Sequence, residues 1–368
     1  MSTHSRKEIS RSSARVLVTE GPLGQAKSAL AAVRALAAAG YRPVVTVSRR
    51  HSLAAASRYC TSVVRVPPIE SPNYRVAIEA ELAKADYLTV LPTSDAALLA
   101  LDWPVRHLVD KVELVDTARR VGLDSPPIEV FASRRSLLDA ASSLEYPVVA
   151  KAVISRPPAI AAWSPLDLQR LPQDVGSLVV QPYLGQGLRS LAGVIFNGRL
   201  LAAVHQRYVR LWPSDCGGAC AAETTAPDLD LEHKVIALLE GYEGIFHVQL
   251  VGDTLIDANA RVYGSLPLAV AAGANLAAIY CDLLATDAEP AEVIRARPGI
   301  FYRWLEGDLR HVVQKVRTRE IRLRSALGAL RPRSDTAHGP ESFIDPMPML
   351  ARVGYAIETG RWRRVLLH

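Results

Sequence analysis

Four residues near position 255 have the types and spacing to handle a metal-bound phosphate: Gln249, Asp257, Asn259 and Arg261, in GIFHVQLVGDTLIDANARVYGS. Amide and carboxylate oxygens are the donors a hard cation such as Mg2+ takes, usually alongside substrate phosphates. A guanidinium, Arg261, stands two residues further on. The surrounding pattern says how these groups are brought together. Residues 245–251 and 254–258 read as strands, with Gly252-Asp253 as the tight turn between them. Antiparallel pairing would set Gln249 across from Asp257, and period-two alternation puts Asn259 on the same face. Taken alone, the pattern fits a polar hairpin on a solvated sheet face equally well.

Other chemistry-bearing residues are less specific. Lys151 lies inside the apolar run YPVVAKAVI (146–154), where an unpaired ammonium is costly. It therefore either reaches the strand's edge or meets an anion. His205 and His247 fall on strands with inward alternation and read as hydrogen-bonded sheet histidines rather than ligands. Cys216 and Cys220 lack CxxC spacing and a second pair, which argues against a metal or redox centre. No Ser-His-Asp or Cys-His arrangement stands out.

The elements that must position these groups follow from composition and periodicity. At 368 residues the chain is too long for one small core and fits two or three subdomains. With 49% hydrophobic and 22% charged residues its composition is ordinary for a globular protein, enzymes included. No apolar run is long enough to span a bilayer. Residues 1–14 lack the apolar centre of a signal peptide and read as a disordered tail. Four irregularly spaced cysteines point to a reducing, cytoplasmic setting. The net charge of +6 suits an anionic ligand such as ATP. It is dispersed, with few aromatics beside it, which argues against nucleic acid.

Strand 15–19, helix 23–39 and strand 42–48 form a β-α-β unit, and strands 62–66 and 87–91 flank a helix at 73–85. This alternation predicts a parallel sheet with helices on both faces and ligands at the strands' carboxyl ends. Thr19-Glu20-Gly21 and Pro92-Thr93-Ser94-Asp95 sit at such ends, although plain turn chemistry explains each residue as well. A helix at 110–121 stops at Gly122, and Pro126-Pro127 marks a subdomain boundary. Beyond it, segment 128–131, helix 134–143 and strand 146–154 begin an α+β unit. Strands 177–184, 188–196 and 199–207 follow, the last two joined by an Asn197-Gly198 hairpin turn. Helix 228–240 leads into the metal-type hairpin, and FYRWLEGDLRHVVQKV from residue 301 reads as an amphipathic helix.

In chain order the landmarks are Asp110-Lys111, PVVAK ending at Lys151, QPYLGQG, HQR at 205–207, CGGACAAET at 216–224, HVQL at 247–250 and DANARVYGSLPLAVAAGANL at 257–276. Over residues 15–285 this series resembles the ATP-grasp superfamily, in particular the carboxylate–amine ligase-like branch near the carbamoyl phosphate synthetase large chain. Two departures stand out. Asp257 replaces the family's usual Glu, and SRPPAIAAWSP (155–165) replaces its Gly- and Ser-rich lid loop, with two prolines that remove N–H donors.

The resemblance implies an ATP-grasp fold of α/β and α+β type. Its parts would be a tail (1–14), an N-terminal parallel-sheet domain (15–125), a lid subdomain (126–187), a C-terminal subdomain carrying the metal hairpin (188–300) and a helical extension (301–368). It implies ATP and Mg2+ as cofactors. Lys111 and Lys151 match the phosphate-reaching lysines. Gln181, Tyr183 and Leu184 match the hinge beside the adenine. Gln249, Asp257 and Asn259 match the metal ligands, and Arg261 and Arg207 the groups facing the γ-phosphate. The implied activity is ligation of a small-molecule carboxylate to an amine through an acyl phosphate, in a protein that neither spans a membrane nor binds nucleic acid and that allows a homodimer. The alternative is a catalytically weak or silent ATP-grasp module that binds nucleotide or a partner.

Overall fold

The computed structural model describes residues 10–21, 26–154 and 159–358. Val16, Leu17 and Val18 are fully buried, which makes β1 (Arg15–Thr19) an inner strand covered on both faces. Around it lie α1 (Ala26–Ala38), β2 (Arg42–Val47), β3 (Ser62–Arg65), α2 (Tyr74–Lys84) and β4 (Tyr87–Leu91). The strands pair in parallel in the order β3-β2-β1-β4, as the alternation of short apolar runs and helices predicts. Three helices then lead away: α3 (Asp95–Ala100), α4 (Arg106–Val109) and α5 (Lys111–Arg120). Asp110 caps α5 by accepting the backbone N–H of Val112 at 2.9 Å, which fixes Lys111 at the first helical position.

The next block contains β5 (Glu129–Phe131), α6 (Arg134–Asp139), β6 (Val148–Ala152), β7 (Ile160–Ala162) and β8 (Leu178–Pro182). Its four strands form an antiparallel sheet in the order β5-β8-β6-β7 over a small core that includes Leu137, Leu168 and Leu178. Of the glycine-free segment 155–165, residues 155–158 lie outside the described ones, and 160–162 supply β7.

The largest sheet is built from β9 (Leu188–Phe196), β10 (Arg199–Trp212), β11 (Gly218–Thr224) and, after α7 (Leu229–Leu238), the hairpin β12 (Gly244–Val251) and β13 (Thr254–Asn259). Asn197 and Gly198 have φ of +48° and +69°, the paired positive angles that a two-residue I′ hairpin needs. Then come α8 (Leu266–Ala271), α9 (Leu276–Thr286), β14 (Ile294–Arg295), β15 (Phe301–Arg303), α10 (Leu305–Arg317), α11 (Leu323–Ala329), β16 (Thr336–His338) and α12 (Met347–Glu358). The strand order is β13-β12-β9-β10-β11-β15-β16, with β14 beside β10. One face packs on α1, α8 and α9 through residues such as Val194, Ala202 and Ile245; the other packs on α5 and α7 through Leu191, Val248 and Leu250.

Two segments depart from expectation. β10 runs to Trp212, five residues past the expected end at 207. Where a helix is expected from residue 301, Phe301–Arg303 instead forms a strand against β11, and the helix starts at Leu305. All three of those residues are buried, so this short strand carries no polar–apolar alternation to read.

Candidate nucleotide and metal site

Cross-strand register decides which side chains meet. In β12 and β13, Gln249 pairs with Asp257 and His247 with Asn259. Through β9 the same row continues, since Ser190 pairs with both Gln249 and Gln206. Gln206, Tyr208, His247, Gln249, Asp257 and Asn259 therefore share one face of the sheet.

Asp257 is met by Lys111 from α5, with Nζ 2.6 Å from Oδ1. Asn259 donates from Nδ2 to Asp257 Oδ2 at 3.2 Å and accepts from Arg261 Nη2 at 2.5 Å. Arg261 also pairs through Nε with Asp95, the first residue of α3, at 2.5 Å. Lys151 donates from β6 to the backbone carbonyl of Ile256 at 2.7 Å. The site thus joins three buried or half-buried cations, Lys111, Lys151 and Arg261, to two carboxylates, Asp257 and Asp95. It is assembled from all three sheet-bearing blocks.

The charges settle accordingly. Burial pushes the Asp257 carboxyl up, but Lys111 and Lys151 outweigh it and hold it below the usual carboxylate range. Burial pulls Lys111 down, yet Asp257 and Asp95 together keep it above its ordinary value. Lys151 has less compensation, and burial lowers it to about 8. Burial, with Arg261 adding to it, drives His247 to about 3 and keeps the imidazole neutral.

Beside the edge of β13 lies a narrow cleft walled by Leu114, Val115, Ile128 and Leu255, with Lys111, Lys151 and Gln181 among its lining. Apolar walls with a few convergent polar groups are the usual make-up of a small-molecule site. The Ser125 hydroxyl also lines it and is buried without a hydrogen-bond partner. Tyr183 and Leu184 follow β8 outside this lining. Tyr183 spends its N–H on the Pro147 carbonyl at 3.0 Å, and Leu184 is 37% exposed.

Arg207 is placed elsewhere. It pairs in register with Arg189, one residue out of phase with the Gln206–Ser190 row, so it projects from the opposite face. There it is 60% exposed and bonded to Glu223 at 2.8 Å. Two residues missed from the sequence, Gln206 and Tyr208, occupy the site face instead. Asp95 was visible only as a strand-end turn residue. Ser265 stands at the start of α8 without a side-chain cap and receives Gln206 Nε2 at 3.4 Å. His205 is bonded to Glu232 at 3.0 Å. The four cysteines are unpaired, and among the described residues no group of three or more His, Cys, Asp or Glu side chains is placed to hold a metal.

The donor set nevertheless fits Mg2+ carried by a nucleotide. One carboxylate and the amide oxygens are too few for a metal cage, and cations already engage Asp257 and Asn259. Mg2+ commonly takes only one or two carboxylates and completes its shell with phosphate oxygens and water.

Neither a protein-family model nor a curated protein matches this chain. Solved structures do. N5-carboxyaminoimidazole synthetase from Staphylococcus aureus, complexed with ADP, aligns over 95% of this chain and 98% of its own with a TM-score of 0.61 at 14% identity. L-amino acid ligase from Bacillus licheniformis aligns over 75% of each chain with a TM-score of 0.55 at 13% identity. The biotin carboxylase domain of Hydrogenobacter thermophilus 2-oxoglutarate carboxylase, in complex with MgADP and bicarbonate, aligns over 78% of this chain and 73% of its own, with a TM-score of 0.55 at 14% identity. The chain has the ATP-grasp fold. The crevice between the small antiparallel sheet and the largest one holds Lys111, Lys151 and Gln181. Among the described residues no helix is long and apolar enough to cross a membrane.

Proposed function

We propose that this protein is an ATP- and Mg2+-dependent ligase that activates a small-molecule carboxylate as an acyl phosphate and couples it to an amine. One observation carries the reading: Lys111, Lys151 and Gln181 line a single cleft that ends at the hairpin bearing Gln249, Asp257 and Asn259. The ADP and MgADP complexes of the structural neighbours support the choice of ligand, and their names as ligases, synthetases and carboxylases support the reaction class.

In this reading the two ammonium groups bind the phosphates as point charges. The apolar walls beside Gln181 take the base. Gln249, Asp257 and Asn259 would hold Mg2+, which draws charge from the phosphates when bound. Arg261, held by Asp95 and Asn259, faces the transferring group. The substrate carboxylate oxygen attacks the γ-phosphorus, and the bond to the β-phosphate oxygen breaks to release ADP. The amine nitrogen then attacks the acyl carbon, phosphate leaves, and the nitrogen loses a proton. Positioning and charge compensation carry the phosphoryl step, so no nucleophilic side chain is needed.

A second reading, a module that binds nucleotide without turnover, is favoured by the lone carboxylate of the metal set and its pairing with Lys111. Incubation with MgATP and a matrix of amino acids and small carboxylates separates the readings. The ligase releases ADP and makes an amide with at least one pair. ADP without ligated product identifies a phosphorylating enzyme. Tight ATP binding with no ADP from any pair identifies the silent module.

A further inference from the structure

Gln249 is an amide at a position where a carboxylate would present two equivalent oxygens to a cation. An amide has one oxygen, and a half-turn of its end group would aim two hydrogens at the cation instead. The structure contains a device that selects the orientation. Gln249 Nε2 donates to the Tyr208 hydroxyl at 3.0 Å. That hydroxyl lies 3.0 Å from His247 Nε2. The His247 ring is buried and stacked on Tyr263 with centroids 4.4 Å apart. Its Nε2 faces hydrogen-bearing groups: the Ser190 hydroxyl at 3.2 Å, the Gln206 amide nitrogen at 3.3 Å and Tyr208.

A phenol has one proton and can also accept. Given to His247, that proton leaves the Tyr208 oxygen to accept from Gln249, and Gln249 Oε1 becomes the free end of the amide. We propose that Tyr208 is a positioning residue that fixes the amide of Gln249 with its oxygen free for the cation that accompanies the nucleotide. The proposal rests on the nucleotide–metal reading of this site and adds to it the group that makes glutamine serviceable there. Tyr208 comes from β10, two strands from β12 in the sheet, and joins the hairpin through the shared register of Ser190.

The test compares four proteins: wild type, Tyr208→Phe, Gln249→Glu and the double variant. Each is titrated with Mn2+ in the presence of a non-hydrolysable ATP analogue, and bound Mn2+ is followed by electron paramagnetic resonance. Tyr208→Phe keeps the ring, which lies parallel to that of His247 with centroids 6.5 Å apart, so it should weaken Mn2+ binding by about 2- to 10-fold, the worth of one neutral hydrogen bond. In the Gln249→Glu background the same change should alter Mn2+ binding less than about twofold, because a carboxylate needs no orientation. Wild-type affinity in Tyr208→Phe, or an equal loss in both backgrounds, overturns the proposal alone. No Mn2+–nucleotide binding by the wild-type protein overturns the reading of the site and the proposal with it.

Discussion

The two faces of β10 hold polar groups in opposite conditions. On one, Gln206 and Tyr208 join His247 and Gln249 in a network, and it is not closed: Gln206 Oε1 is buried with no hydrogen-bond partner. On the other, His205 and Arg295 share Glu232, Arg207 meets Glu223, and Arg189 meets Asp228 and Asp253. Buried polar groups in a structural role are normally satisfied. The contrast between the two networks sets the proposed site face apart from the other face of the same strand.

Substitutions on the two faces should have unequal effects. The largest effect is expected on the open face, where Asp257→Ala should lower ADP formation by about 100-fold or more. Activity retained within tenfold would remove the carboxylate from the reaction. On the closed face, Glu232→Gln breaks a buried ion pair and should cost about 3–5 kcal/mol of stability in urea unfolding while leaving nucleotide affinity unchanged. Burial pushes the Glu232 carboxyl up, but Arg295 and His205 outweigh it and hold it below the usual range. Its contribution is therefore present above the unfolded value of about 4.3 and is lost as the pH falls through the folded one. The gap in stability between wild type and Glu232→Gln should close over that acid window.

A smaller effect separates the two lysines. With Lys151 at about 8, nucleotide affinity should fall by about tenfold between pH 7 and pH 9 as its proton is lost. Isothermal titration should show that slope in wild type and a flat profile in Lys151→Arg; the same slope in both would assign it to another group. The smallest effect belongs to Arg207. Its exposed pair with Glu223 contributes about 1 kcal/mol or less, so Arg207→Ala should change nucleotide affinity and turnover less than twofold. A tenfold loss of turnover would bring this side chain back to the phosphate.

Much of the fold was legible because strand and helix periods are local. β1 and β9 carry the expected boundaries, and the parallel unit follows from short apolar runs alternating with helices. The hairpin was legible for the same reason, since its turn and alternation set Gln249 across from Asp257. What stayed hidden depends on register between distant strands. HQR at 205–207 drew attention to Arg207, but whether Gln206 or Arg207 enters the site is decided by pairing with Ser190 and Arg189. Asp95 acquires its role only from Arg261, 166 residues away. The Tyr208 contact with Gln249 lies past the point where the strand was expected to end.

Lys151 has a consequence beyond its proposed part in nucleotide binding. β13 is the edge of the largest sheet, and an open edge offers unpaired carbonyls and N–H groups to any passing strand. Here the Ile256 carbonyl is taken by the Lys151 ammonium and the Leu255 N–H by the Asp124 carbonyl at 2.7 Å. The side chain suited to grip a phosphate thus also seals that border against strand addition by a second molecule. A ligand that draws Lys151 away must itself cover the edge that this ammonium now guards.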